Sequence, residues 1–185
     1  MKQEVFDWIK AFLIAAVLAI VVRVFFLAPV VVEGDSMLTN LHNGEHVIVS
    51  KINYTVGSPD RFDVVVFHAN QREDYIKRVI GLPGDHIAYE DDQLYVNGES
   101  VEEPFLEERK SQISEGQTLT EDFTIEELPG GHSEVPQDTL LVLGDNRNNS
   151  TDSRILGVIP MDEVVGEAVL TYWPLNRIHL ITEEG

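Results

Sequence analysis

The chain has 185 residues, 43% of them hydrophobic and 24% charged, which is room for one folded domain with an appendage. It contains no cysteine, and this excludes a disulfide framework, a zinc–thiolate centre and a thiol nucleophile. A formal net charge of -19 argues against nucleic acid and against anionic lipid headgroups as partners of the bulk domain, since both demand a basic face.

The first element is apolar. Ala11 to Val22 is uninterrupted, Arg23 follows, and Val24 to Val32 resumes around Pro29. Counted through Arg23, the 22 residues from Ala11 to Val32 reach the ~20 needed to span a bilayer as a helix, with the arginine snorkelling to an interface. A cleaved signal peptide and a buried core helix are the competing readings. Phe26-Leu-Ala-Pro29 is a poor small-residue cleavage site, so the favoured reading is an uncleaved transmembrane anchor. Lys2 and Lys10 place the amino end on the cytoplasmic side, with Trp8 at the near interface.

From residue 33 onward the pattern is that of β structure. Val47–Ser50, Asp63–Phe67, Tyr75–Ile80, His86–Tyr89, Leu94–Val96, Leu140–Leu143 and Val164–Tyr172 are short β-branched or aromatic runs. Turn formers separate them, among them Leu82-Pro-Gly84 and an Asn97-Gly98 hairpin signal. No long 3.6-residue apolar period occurs here, so no substantial helix is expected. Residues 97–138 hold twelve acidic side chains against Arg109 and Lys110. They read as an inserted, solvent-facing subdomain or long hairpin, not a second independent core, and their acids as a solvated face and not a metal cluster. The expected division is a cytoplasmic amino terminus and anchor over 1–32, then an extracytoplasmic domain over 33–185 with the insertion at about 97–138.

Within Tyr75–Ile80, alternation puts Tyr75, Lys77 and Val79 on one face. Most strand lysines are edge or snorkelling residues. A lysine on a buried face instead loses water, its pKa falls below ~10.4, and the neutral amine can take a proton from a serine hydroxyl. The chain offers one unusual serine, Ser36 in Gly34-Asp-Ser-Met37, at a turn directly after the apolar segment. A third element, Gly144 to Arg154, packs short polar side chains into eleven residues after a strand. A calcium loop is disfavoured, because Arg147 stands where a ligand belongs and no glutamate follows at the twelfth position. An Asx-rich structural turn and a loop that orients the lysine amine both remain open.

Gly34-Asp-Ser-Met37, Asp63–Phe67, Tyr75–Asp85 and Gly144–Arg154, in that order, resemble the successive motif boxes of bacterial type I signal peptidases, in particular the Gram-positive branch. The resemblance implies a Ser/Lys dyad with Ser36 as nucleophile and Lys77 as general base, and Ser150 hydrogen-bonded to the base amine. It makes Asp145, Asp152 and Arg154 the framework, and Val32, Met37, Leu41, Tyr75 and Ile76 the lining of shallow substrate pockets. It implies cleavage of signal-peptide-bearing preproteins after Ala-x-Ala-like sequences at the outer face of the cell membrane, with the lipid bilayer as a partner and no metal or cofactor. The implied fold is mainly β: a single transmembrane helix followed by an all-β catalytic domain with a small inserted β subdomain.

Two positions depart from the family pattern. Thr39 stands where a proline is usual, which predicts a looser turn after Ser36. Gly34 stands where some members carry an oxyanion-binding serine, which leaves that task to backbone N–H groups, chiefly that of Ser36. His42, His46 and His68 are the rival bases. Self-cleaving Ser/Lys repressors and a non-cleaving accessory protein are the rival functions.

Overall fold

The computed structural model describes residues 2–52, 54, 57–114 and 116–182. The side chains of residues 1–5, 22, 24 and 25, including Lys2 and Glu4 of the expected inner flank, lie outside the described residues.

Helix α1 runs from Lys2 to Phe25 and strand β1 follows from Leu27 to Val31. The expected 22-residue span therefore divides in two. Ala28 to Val31 pair with Val49 to His46 of β2 (His46–Ser50), so the second apolar half is sheet and not helix. From Ala11 to Phe25 the helix measures about 22 Å at ~1.5 Å per residue, short of a ~30 Å hydrocarbon layer. Among the described residues no helix is long and apolar enough to cross a membrane. The expected single transmembrane helix is corrected accordingly: the fold is mainly β with an amino-terminal helix.

Two sheets build the rest. The main one has eight strands in the order β1, β2, β11 (Val164–Trp173), β3 (Val64–Asn70), β4 (Glu73–Gly81), β9 (Thr139–Leu143) and β10 (Ile159–Pro160), with β12 (His179–Leu180) also pairing with β11. The second has four, ordered β7 (Glu99–Val101), β6 (Gln93–Val96), β5 (Ile87–Glu90) and β8 (Phe123–Thr124). The β6–β7 hairpin turns at Asn97-Gly98, both at positive φ, and Val96 pairs directly with Glu99. Among the described residues, two short α-helices accompany these sheets, α2 (Glu107–Ser111) and α3 (Ser153–Leu156).

The unbroken apolar run of β9 reflects burial on both faces. Leu141 and Leu143 join Ile80, Ile87, Tyr89, Leu94 and Val96 in a core between the two sheets. Leu140 and Val142 join Val65, Phe67, Val79 and Ile159 on the other face. Tyr75 packs against this second cluster, so Tyr75, Lys77 and Val79 share a covered face as alternation requires. Each buried Val or Leu side chain contributes roughly 1.5–3 kcal/mol relative to exposure. The interior position of Lys77 is thus held by well-covered neighbours.

Candidate active site

Register positions the site. β4 pairs with β3 from Glu73 to Arg78, with Val65 opposite Lys77 and Phe67 opposite Tyr75. On its other edge it meets β9 only from Arg78 onward, with Leu143 opposite Arg78. The antiparallel chain leaving Leu143 therefore runs as the Gly144–Arg154 loop past Lys77, and the edge of β4 before Arg78 stays unpaired by β9. On the facing side, Gly34 sits at φ +87°, a conformation that favours glycine, and donates its N–H to Asn43 Oδ1 at 3.0 Å. The Ser36 turn closes through Leu38 N–H to Asp35 O and Leu41 N–H to Met37 O, and the Leu38–Thr39 peptide within it is cis.

Lys77 is 3% exposed. Its Nζ donates to Ser36 Oγ at 2.9 Å and to Ile76 O at 2.9 Å, and it lies 5.0 Å from the centre of the Tyr75 ring. Burial lowers its pKa from 10.5 to about 8, opposed in part by the carboxylates of Asp152 and Asp145. At pH 7 such an amine is roughly one-tenth neutral, and the neutral form, in contact with a serine hydroxyl, can accept that hydroxyl's proton.

Asp152 caps α3. It accepts from Gly144 N–H at 3.0 Å and from Arg154 Nε and Nη2 at 2.9 and 2.8 Å. Its burial would raise its pKa, but Arg154 and the Gly144 N–H outweigh that and hold it below the usual carboxylate range. Asp145 forms a two-point ion pair with Arg78, Nε to Oδ1 at 2.9 Å and Nη2 to Oδ2 at 2.8 Å, and also accepts from Asn40 Nδ2 at 2.7 Å. Arg78 is fully buried, bonded also to Phe62 O and Thr182 O, with its guanidinium 4.1 Å from the Phe105 ring centre. It thus anchors Asp145 from the face opposite Lys77, a part that the alternation pattern alone does not disclose.

The expected site residues divide into four groups. Ser36, Lys77, Asp145, Asp152 and Arg154 converge on one place. Ser150 is near them, but its buried hydroxyl makes no hydrogen bond of good geometry among the described residues, the lysine amine included; its proximity helps hold Asp152 ionised. Val32, Tyr75 and Ile76 line an open groove of ≈ 950 Å³ together with Ser36, Lys77 and Ser150. Met37 and Leu41 do not: each is 1% exposed and belongs to the core formed with Val47, Val49 and Val64, because the turn folds them inward beneath the groove. The histidines bond elsewhere, His42 to Glu45, His46 to the Tyr172 hydroxyl and His68 to Asp74.

Residues beyond the sequence reading complete the loop. Arg147 is buried and bonds Tyr89, Thr120 and Glu103, so the residue that breaks a calcium pattern instead ties the loop to the second sheet. Burial opposes its charge, and the Glu103 carboxylate more than compensates, raising its pKa. Asn146 bonds the backbone of both Asp35 and Ser36. The density of short polar residues pointed to this loop, while the identity of their distant partners was not visible in one dimension.

A hydroxyl bonded to a buried, partly neutral amine on a β scaffold is the composition of a serine hydrolase site. Comparison with known proteins narrows the class. A family model described as signal peptidase, peptidase S26, matches residues 5–173. Signal peptidase I of Bacillus caldolyticus is 47% identical over 170 residues, 92% of this chain and 90% of its own length. Signal peptidase IB of Staphylococcus aureus (strain COL) is 40% identical over 180 residues, 96% of this chain and 94% of its own. A solved signal peptidase I from Enterococcus faecalis V583 superposes with a TM-score of 0.57 at 39% identity, covering 60% of this chain and 97% of the other. The chain belongs to the signal peptidase family, peptidase S26, and is a serine endopeptidase.

Proposed function

We propose that the chain removes signal peptides from exported preproteins by a Ser36/Lys77 dyad, cutting after small residues of Ala-x-Ala type. The observation that carries the reading is the 2.9 Å contact between Lys77 Nζ and Ser36 Oγ, made by an amine that burial brings to a pKa of about 8. An extended substrate pairs with the open edge of β4 before Arg78, so main-chain hydrogen bonds supply affinity. Val32, Tyr75 and Ile76 wall the groove and leave room for small side chains.

Neutral Lys77 takes the proton from Ser36 Oγ as the oxygen attacks the scissile carbonyl carbon. The oxyanion is received by the Ser36 N–H, which donates to no partner among the described residues. The C–N bond breaks as the lysine ammonium returns its proton to the leaving amine. Lys77 then deprotonates water, which attacks the acyl-enzyme, and the proton passes back to Ser36 Oγ as the signal peptide is released. Asp145, Asp152 and Arg154 hold the loop beside the amine. A signal peptide is an apolar segment, so the outer face of the cell membrane is where such a junction is presented. In this reading residues 33–185 form the catalytic domain and about 97–138 its insertion.

Incubation of the purified chain with a labelled preprotein in detergent tests the proposal. Ser36→Ala and Lys77→Ala are each expected to abolish cleavage while the β fold persists by circular dichroism. Near-parental turnover by either variant refutes the dyad.

A further inference from the structure

The geometry points to Asn146 as a positioning residue for the nucleophile, controlled by Arg109 of α2, so that the segment around 103–109 sets the catalytic geometry from outside the groove. This rests on the proposed role of Ser36.

Asn146 is 7% exposed and holds the Ser36 turn at two consecutive carbonyls. Its backbone N–H donates to Ser36 O at 2.9 Å, and its side-chain Nδ2 donates to Asp35 O at 2.9 Å. The two peptide units that flank the Ser36 Cα are thereby fixed, and with them both Oγ and the N–H proposed to receive the oxyanion. An asparagine amide has a donor end and an acceptor end, and a flip would put two oxygens face to face at Asp35. Arg109 Nη2 donates to Asn146 Oδ1 at 2.9 Å. A guanidinium only donates, so it admits one orientation of the amide, the one that leaves Nδ2 for Asp35 O.

Arg109 does not stand alone in joining this segment to the site. Asn40 Nδ2 bonds both Asp145 Oδ2 and Phe105 O, Phe105 lies under the Arg78 guanidinium, and Glu103 is bonded by Arg147. Residues 103–109 therefore meet three consecutive members of the loop directly or through one side chain: Asp145, Asn146 and Arg147. None of these residues lines the groove. Their substitution acts through placement of Ser36 and not through contact with substrate.

The distinguishing prediction is a split in kinetic constants and a failure of additivity. Arg109→Ala is expected to lower kcat about tenfold, and Asn146→Ala by a factor on the order of 10–100, as small misplacements of reacting groups do. KM stays near parental, and the pH limb set by the lysine stays in place. If Arg109 acts through Asn146, the double variant is no slower than Asn146→Ala alone. Arg109→Lys, which retains a donor, recovers most of the rate. Asn146→Asp, which keeps the shape but replaces the donor nitrogen by an acceptor, loses kcat by an independent route and serves where Asn146→Ala accumulates poorly.

The assay is steady-state cleavage of a labelled preprotein by the full chain in detergent, with active sites counted by the acylation burst. Parental kcat in Arg109→Ala, multiplicative losses in the double variant, or a loss confined to the number of active sites each overturn the inference. Ser36→Ala runs alongside: residual turnover there would defeat the nucleophile assignment, whereas a dead Ser36→Ala with an unaffected Arg109→Ala defeats only the positioning role.

Discussion

Keeping Lys77 in the interior costs stability, and the cost has a pH signature. The amine is 3% exposed and its pKa falls from 10.5 to about 8, a difference of about 2.5 units, or roughly 3 kcal/mol at ~1.36 kcal/mol per unit. The folded-state value is the lower one, so between about 8 and 10.5 the unfolded chain binds the extra proton. The penalty is therefore complete below about pH 8 and is relieved as pH rises toward 10.5. Lys77→Met removes the charge and keeps the stem, but forfeits the hydrogen bonds to Ile76 O and Ser36 Oγ, worth about 1 kcal/mol each. The variant is expected to be more stable than the parent by about 1–2 kcal/mol at pH 7. That advantage falls by roughly 3 kcal/mol and reverses by pH 10.5. Urea unfolding of both proteins at several pH values between 7 and 10.5 measures it, and every other titrating group cancels in the difference. A stability difference that does not change with pH would mean that the lysine titrates as it does in water, and the burial reasoning would fail.

Other perturbations separate framework from chemistry. Asp145→Ala strands the Arg78 guanidinium in the interior, and the loss is expected to be about 3–5 kcal/mol in urea unfolding, with activity lost through the fold. Gly144→Ala places a Cβ against Ser150 Oγ and Ser36 O, so cleavage is expected to fall far more than thermal stability, checked by kcat alongside a melting curve. Met37→Ala opens a core cavity and is expected to cost about 2–5 kcal/mol without changing which residue precedes the cut, as read by mass spectrometry of the products.

Much of this site was legible from residue pattern because it depends on local geometry. The period of two places Lys77 with Tyr75 and Val79, and the short polar run 144–154 marks a rigid loop. Three things were not legible, each for a physical reason. Leu27–Val31 reads as more of the same apolar helix, since a short apolar run fits a covered strand equally well and only pairing with β2 decides. Arg78 and Asp145 are 67 residues apart, so a buried ion pair between them leaves no mark in local spacing. Met37 and Leu41 follow Ser36 closely in sequence, but the turn sends their side chains to the core below, and nearness to Ser36 carries no information about facing the groove.

In the proposed cycle a neutral Lys77 amine accepts the Ser36 proton. The most direct test of that step is the pH dependence of kcat/KM for preprotein cleavage, in the parent and in Asp152→Asn. An activity limb rising at about pH 8 is expected, displaced to lower pH in the variant, because the Asp152 carboxylate raises the lysine's pKa. A limb near 10.5, or one near 6–7 that disappears with a histidine substitution, would contradict the account.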